Sequence, residues 1–219
     1  MPNIELLNCD CMEYMKTVPD KQFDLAIVDP PYGLGDKLKP RGGMIGKYGS
    51  FDGMGKHSWD NQPPTKEYFD ELKRVSKEQI IWGGNYFIEN LTNTQCFIVW
   101  DKQNGGNPMA DCELAWTSFK NKVSRLYSGH IFKGIGCTNY NSIHPTQKPV
   151  ALYRWLLHNY AKEGDKILDT HLGSGSSAIA AHQMGFDFVG CEIDKDYYEA
   201  ACKRFKEQTA QLDIFKQSA

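Results

Sequence analysis

The segment from residue 166 to residue 192 constrains the fold of this chain more than any other part of its sequence. Residues 166–169 have the composition of a buried strand, and a turn with Gly173 and Gly175 follows. The spacing of apolar residues then predicts a helix over 176–184 and a second strand over 186–192. A strand, a helix and a strand in this order form a parallel βαβ unit, and such units build sheets with helices on both faces. The sequence therefore predicts a doubly wound, mostly parallel α/β fold.

The rest of the chain continues this alternation. Further strands are predicted over 4–8, 23–28, 79–82 and 96–100, further helices over 11–17, 65–75, 85–91, 150–160 and 194–209, and extended segments that could pair as a hairpin over 113–133. Two segments, 33–60 and 103–142, contain long polar, glycine-rich stretches of the kind that is usually functional. With no repeat or linker, residues 1–219 are interpreted as one domain with a tail over 210–219.

The composition, with 41% apolar and 24% charged residues, is that of an ordinary globular protein. No apolar run reaches the length of a membrane span, and the N-terminus lacks the basic and apolar regions of a signal peptide. The seven cysteines include no Cys-x-x-Cys pair, so we interpret them as reduced thiols and predict no metal. The protein is expected to act in the cytoplasm.

The basic residues are concentrated in two segments although the net charge is −2. No acidic residue occurs between Leu114 and Lys162. Clustered Lys and Arg in an otherwise slightly acidic chain are typical of a local contact with nucleic acid, although they fit an ordinary solvated surface equally well. The candidate DNA-binding residues are Lys37, Lys39, Arg41, Lys47, Lys120, Lys122, Arg125 and Lys133.

The glycine-rich turn and a later acid together indicate a nucleoside site. Gly173 and Gly175 allow the backbone to approach a ligand, and the helix that follows offers N–H groups to it. Glu192 ends the next strand, where a carboxylate can accept hydrogen bonds from both ribose hydroxyls. A tight turn with a capping acid is the simpler alternative. A dinucleotide fold is disfavoured because only one helix follows Glu192.

A second candidate site follows the predicted strand 23–28. Asp29-Pro-Pro-Tyr32 lies where open α/β sheets bind ligands. Two prolines stiffen the loop and remove two N–H donors, so Asp29 and the Pro30 carbonyl can each accept a hydrogen from an exocyclic amino group. Tyr32 can stack on the base that carries this group. A rigid turn with a buried aromatic is the alternative.

These motifs resemble those of the DNA amino-methyltransferases, in the permuted order that places Asp-Pro-Pro-Tyr before the glycine-rich turn. Trp82-Gly-Gly-Asn-Tyr86 and Val99-Trp-Asp-Lys102 are similar to the family's central strands, and His144-Pro-Thr-Gln-Lys-Pro149 to the segment that closes over the methionine part of the cofactor. The resemblance implies a Rossmann-like fold, S-adenosyl-L-methionine as cofactor, and double-stranded DNA whose target base is flipped out. It also implies that segments 33–60 and 103–142 recognise the target sequence. It implies catalytic roles for Asp29, Pro30, Pro31 and Tyr32. The implied cofactor-binding residues are Asp10, Cys11, Asp29, His144, Thr146, Lys148, Asp169, His171, Gly173, Ser174, Gly175, Ser176, Glu192 and Ile193.

The sequence departs from the family pattern at two positions. Cys9 replaces the usual Gly before Asp10, and His171 replaces the usual aromatic before the glycines, where it serves for its shape or takes part in the chemistry. Asp29 at the head of the tetrapeptide favours methylation of adenine N6, since cytosine-N4 members more often begin with Ser. Cytosine-N4 methylation, methylation of RNA and a DNA-binding module without activity are the alternatives.

The last predicted feature is the apolar pentapeptide Gln-Leu-Asp-Ile-Phe at 211–215. Apolar residues in a polar segment are expected to find a groove. Docking against the chain's own domain is one outcome. The pentapeptide also resembles the motif that binds bacterial sliding clamps, so a contact with such a clamp is the other outcome. Separately, the protein is expected to form a homodimer.

Overall fold

The computed structural model describes residues 1–34, 62–103, 110–129, 143–144 and 146–216, with side chains as far as residue 210. Its strands are β1 (Ile4–Asn8), β2 (Phe23–Val28), β3 (Ser76–Trp82), β4 (Phe97–Asp101), β5 (Cys112–Thr117), β6 (Arg125–Ser128), β7 (Lys166–Asp169) and β8 (Asp187–Glu192). Its helices are α1 (Cys11–Thr17), α2 (Lys66–Val75), α3 (Val150–Tyr160), α4 (Ser176–Met184) and α5 (Lys195–Lys216). No described helix is both long and apolar enough to cross a membrane.

The strands form one sheet in the order β1-β8-β7-β2-β3-β5-β4-β6. Neighbouring strands are parallel except where β5 pairs with β3 and β4. Successive residues of β2 face opposite sides, so Leu25 and Ile27 join one core and Ala26 and Val28 the other. The first core includes residues of α3, α4 and α5, and the second those of α1 and α2. The predicted doubly wound α/β fold is thus confirmed.

Several predicted boundaries were wrong for identifiable reasons. The predicted helix 85–91 is two short 3₁₀ turns, Gly84–Tyr86 and Ile88–Asn90, separated at Phe87, whose backbone leaves helical geometry to bury its ring. β3 begins three residues before the expected start, because α2 runs directly into it at Ser76.

Within its described residues, 113–129, the extended region does not form a hairpin. Both edges of β5 are occupied by β3 and β4, so β6 pairs with β4 instead. Two strands of the central sheet therefore lie within the predicted recognition segment 103–142.

α5 continues through the predicted tail as far as Lys216. Neither Gly nor Pro occurs between Thr209 and Lys216, so the sequence contains no strong helix breaker there. Ala201 is buried, and Tyr198, Cys202 and Phe205 are half-buried, as the predicted inner face of this helix requires. The side chains of 211–215 lie outside the described residues.

Candidate active site

The carboxyl ends of the parallel strands bring the predicted sites to one edge of the sheet. We call it the catalytic edge, and it contains the ends of β1, β8, β7, β2 and β3. Asp10 follows β1, Asp29 follows β2, Gly83 follows β3, and Glu192 ends β8. The two motifs, although about 140 residues apart in the chain, are neighbours because β7 pairs directly with β2.

The Asp29–Tyr32 loop is held by contacts on both of its functional side chains. The Tyr32 hydroxyl donates to Asp29 Oδ1 at 2.6 Å, and the Lys148 ammonium donates to Asp29 Oδ2. The Tyr32 ring stacks on Tyr86 with 4.9 Å between centroids and 16° between planes. Pro30 is buried and Pro31 half-buried. Because neither proline has a polar side-chain group, only Asp29 and Tyr32 can contribute side-chain chemistry in this loop.

A buried set of four charges extends from Asp29 into the sheet, and sequence reasoning predicted a site role for two of them. Lys148 also contacts Glu113 Oε2 at 3.1 Å, and Glu113 forms an ion pair with Lys102. The sequence indicated Lys148 as a cofactor contact, whereas its described partners are these two carboxylates. Lys102 was noted only as part of a motif similar to the family's central strands. No pattern in the sequence indicated a role for Glu113.

Burial and mutual attraction set the pKa values of these groups. Burial raises the pKa of Asp29, and Lys148 opposes that rise. For Lys148, burial favours the neutral amine, but Asp29 and Glu113 outweigh it and the pKa is raised. For Glu113, burial is outweighed by Lys148 and Lys102, so its pKa is lowered. Glu113 and Lys148 are therefore an ionised pair at neutral pH.

The glycine-rich turn is tied to the acid that ends β8. Glu192 accepts from the Gly173 N–H and from the Asp194 N–H, both at 2.9 Å. Gly173 and Gly175 have φ values of +50° and +74°, a region that favours glycine. Ser174 and Ser176, both buried, share a hydrogen bond of 3.1 Å. The turn and Glu192 thus form a single preorganised unit.

Asp169 supports this turn from below. It accepts from the Ser177 hydroxyl at 2.6 Å and from the His171 N–H at 3.0 Å. Burial raises its pKa to about 7, because desolvation outweighs these hydrogen bonds. We therefore expect the Asp169 carboxyl group to be partly protonated at neutral pH.

His171 has the surroundings of a packing residue. Its ring meets Tyr68 edge-on with 5.4 Å between centroids, and its Nδ1 lies 2.9 Å from Thr170 Oγ1. Burial lowers its pKa to about 4, so the imidazole is neutral at pH 7. This favours the interpretation in which His171 serves for its shape.

The end of β1 lies beside Glu192. Asn8 Nδ2 and Cys9 N donate to the Glu192 carbonyl at 2.8 and 3.1 Å. Asp10 caps α1 by accepting from the Met12 N–H at 2.7 Å. Burial raises the pKa of Cys11 to about 12, which makes its thiol a poor nucleophile. Ile193, 67% exposed, adds an accessible apolar surface.

The described residues of the 144–149 segment, 144 and 146–149, lie beside the glycine-rich turn. The His144 ring is 3.8 Å from where a Cβ at Gly173 would be, and it meets Tyr197 at 4.5 Å between centroids. Thr146 bonds to His144 Nδ1 through its hydroxyl at 3.2 Å. The segment therefore links the turn to Asp29 through Lys148.

Three of the predicted DNA contacts are placed away from this edge. Lys120 and Lys122 follow the end of antiparallel β5, and Arg125 begins β6, so all three lie at the opposite edge of the sheet. A strand of this length separates the edges by about 17–20 Å. Lys122 also donates to the Asn159 carbonyl at 2.9 Å. The structure therefore places these three residues at the edge opposite Asp29, and their contact with DNA stays a prediction. Lys37, Lys39, Arg41, Lys47 and Lys133 lie outside the described residues.

The described groups fit an adenosine-containing cofactor. The glycine turn permits close approach, Glu192 offers carboxylate oxygens, and the rim at Asp10 and Ile193 provides polar and apolar surface. The described residues contain no cluster suited to a metal ion.

Comparisons with known proteins agree with this geometry. The N6_N4_Mtase family model, described as DNA methylase, matches residues 81–203, more than half of the chain. The type II methyltransferase M.HinfI of Haemophilus influenzae is 25% identical over 92% of this chain and 68% of its own. The M1.HpyAVI–SAM complex has a TM-score of 0.58 at 21% identity, covering 92% of this chain and 99% of that one. The cytosine-N4-specific PvuII DNA methyltransferase has a TM-score of 0.63 at 13% identity, covering 96% and 91%. The chain therefore belongs to the N6/N4 DNA methylase family and is an S-adenosylmethionine-dependent DNA methyltransferase.

Proposed function

We propose that this enzyme methylates N6 of adenine in a specific sequence of double-stranded DNA after flipping the target base. The position of the Asp29–Tyr32 loop, beside the glycine-rich turn at the catalytic edge, carries this proposal. A base within a duplex cannot reach a pocket at the ends of the strands, so the target must leave the stack.

The proposed chemistry assigns distinct tasks to Asp29, Pro30 and Tyr32. Asp29 accepts a hydrogen bond from one N–H of the amino group, and the Pro30 carbonyl accepts one from the other. These two hydrogen bonds orient the nitrogen lone pair. When bound, S-adenosylmethionine would supply the electrophilic methyl group and leave as S-adenosylhomocysteine, and the methylated nitrogen would then lose one proton. The carboxylate of Asp29 stabilises the positive charge that grows on the amino nitrogen. Tyr32 stacks on the base. Its hydroxyl releases its hydrogen bond to Asp29 Oδ1, so that Oδ1 can accept one from the amino group.

The cofactor-binding part of the proposal rests on the other half of the edge. Glu192 holds the ribose hydroxyls, and the backbone at Gly173 and Gly175 lies along the methionine portion. Asp169, Ser174 and Ser176 support that backbone, and His144 and Thr146 cover it. Asp10, Cys11 and Ile193 border the adenine, while His171 holds the turn in shape.

Asp29 is also the reason for proposing adenine rather than cytosine. Both bases carry an exocyclic amino group, so the described pocket chemistry fits both. The similar fold of a cytosine-N4-specific enzyme keeps that alternative open. The tetrapeptide that begins with Asp favours adenine by family resemblance.

Incubation of the enzyme with DNA and cofactor, followed by nucleoside mass spectrometry, tests the proposal. N6-methyladenine is the expected product. N4-methylcytosine would replace the adenine assignment with the alternative. Methylation of RNA but not of DNA under matched conditions would contradict the proposed substrate.

Gly83 provides a test of the proposed stacking role of Tyr32. A Cβ at Gly83 would lie 2.2 Å from Tyr32 Cε1, and φ there is +69°. We expect Gly83→Ala to displace the ring and lower kcat/KM for DNA at least about tenfold, since base–aromatic stacking contributes about 1–3 kcal/mol.

Gly164→Ala is the matched control for this substitution. Gly164 has φ +85°, but nothing lies within 4 Å of its added Cβ, so this variant has backbone strain without the collision. Its kcat/KM is expected to remain near that of the wild type. Equal losses in the two variants would show that strain, and not the position of Tyr32, limits the reaction.

The finer partner assignments are also part of the proposal. Segments 33–60 and 103–142, apart from strands β5 and β6, read the DNA sequence, with Lys37, Lys39, Arg41, Lys47 and Lys133 on phosphates or guanine edges. We also propose that the enzyme acts in the bacterial cytoplasm, as a bacterial or phage-encoded protein, and the bacterial origin of relatives such as M.HinfI supports this.

A sliding-clamp contact through 211–215 and a homodimer stay predictions. Calorimetric titration with a bacterial clamp, comparing the full chain with one ending at Ala210, tests the first. Equal binding by both chains, or none by either, would contradict it.

A further inference from the structure

A buried row of alternating charges connects the catalytic loop to the interior of the sheet. In order, it consists of Asp29, Lys148, Glu113 and Lys102. The side chains of Lys148 and Lys102 are only 3% and 8% exposed. The four residues come from four separate segments of the chain. Two acids face two bases, so the row is neutral as a whole.

Two tryptophans form the apolar surface under this row. Lys148 Nζ lies 5.4 Å from the centre of the Trp82 ring, and Lys102 Nζ lies 5.4 Å from that of Trp100. The two rings meet edge to face at 6.2 Å. Both ammonium groups are thereby shielded from water while an aromatic face partly compensates their charge. In this buried setting, each charge affects its neighbour much more strongly than the same charge would at the protein surface.

Stability is a poor explanation for four charges in this position. Replacing a buried ion pair by apolar residues of similar volume is often neutral or stabilising, because desolvation offsets the attraction. Apolar side chains would pack readily on Trp82 and Trp100. The row also ends directly on the carboxylate that the proposed reaction uses.

We propose that Lys148 and Glu113 are positioning residues for methyl transfer, which act on the target amino group through Asp29. This inference rests on the proposed function. Lys148 holds Asp29 Oδ2, so Oδ1 is the oxygen that turns from the Tyr32 hydroxyl to the amino group. Glu113 shares the Lys148 ammonium with Asp29, so Lys148 neutralises the Asp29 charge less completely and the carboxylate stays an effective partner for the developing positive charge.

The two positioning residues act on the Asp29 proton with opposite sign. Loss of the Lys148 charge removes an attraction that favours the carboxylate, so the Asp29 pKa should rise. Loss of the Glu113 charge removes a nearby negative charge and leaves Lys148 and Lys102 less compensated, so the Asp29 pKa should fall. The titratable groups that face Asp29 from the surrounding elements are Lys148, Glu113, Tyr32, Tyr153 and Asp169.

The experiment measures the pH profile of single-turnover DNA methylation and titrates the Asp29 carboxyl carbon by ¹³C NMR. Asp29→Asn identifies the resonance. We expect Lys148→Met to move the acid limb and the carboxyl titration to higher pH by about 1 to 3, the usual effect of one close charge. Glu113→Gln is expected to move both to lower pH. Lys148→Arg, which keeps the charge, should return the titration toward that of the wild type.

Lys77→Met is the matched control, because Lys77 pairs with Asp24 at the other end of β2. Its profile should coincide with that of the wild type. Shifts of the same sign in Lys148→Met and Glu113→Gln, or no shift in either, would overturn the inference. If Lys148→Met does not fold, an unchanged or upward-moving titration in Glu113→Gln overturns it by itself. A wild type that methylates no DNA would refute the proposed function, whereas the NMR titration needs no turnover and would still show whether Lys148 and Glu113 set the Asp29 pKa.

Discussion

Replacing Asp29 by asparagine is expected to lower the rate of DNA methylation at least about a hundredfold while leaving S-adenosylmethionine binding nearly unchanged. Asparagine has the same shape but no charge, so it cannot stabilise the positive charge that grows on the attacking nitrogen. It also leaves Lys148 without one of its two carboxylate partners. Single-turnover methylation and calorimetric titration of the cofactor measure the two quantities separately.

Asp24→Asn is the control for this experiment. Asp24 belongs to β2, the strand that Asp29 follows, and also pairs with a lysine, but at the opposite edge of the sheet. We expect it to retain methylation. If Asp29→Asn kept more than about a tenth of wild-type turnover, Asp29 would not be the group that stabilises the reacting amine.

Replacing Glu192 by glutamine is expected to weaken cofactor binding by about 10- to 100-fold. A hydrogen bond to a charged acceptor contributes about 1.5–3 kcal/mol, and about 1.4 kcal/mol corresponds to a tenfold change in affinity. The glutamine amide retains one acceptor oxygen where the carboxylate has two, and the Gly173 and Asp194 N–H groups already use both. Calorimetric titration should show the same loss for S-adenosylmethionine and S-adenosylhomocysteine, because both contain the ribose.

Glu163→Gln, at an exposed position in the turn before β7, serves as the control and should bind both ligands like the wild type. Circular dichroism melting would reveal any general loss of structure in Glu192→Gln. Unchanged affinity in a folded Glu192→Gln protein would show that Glu192 shapes the turn but does not hold the ribose.

The sequence by itself determined the features that depend on neighbours along the chain. β1, β2, α1, α3, β7 and α4 have the predicted bounds, because apolar periodicity and capping residues act over a few residues. The glycine turn and the Asp29–Tyr32 loop were identified for the same reason, since each motif is contiguous. Even their proximity could be predicted, because the carboxyl ends of parallel strands share one edge.

Only the tertiary structure decided which side chains meet across the sheet. Insertion of β5 between β3 and β4 brings Glu113 to Lys148 and Lys102. The same strand order places Lys120, Lys122 and Arg125 at the opposite edge. Strand order depends on the packing of the whole sheet and leaves no local mark on any one strand. For that reason the sequence showed where basic residues are concentrated along the chain, but only the fold showed that Lys148 is the partner of Asp29.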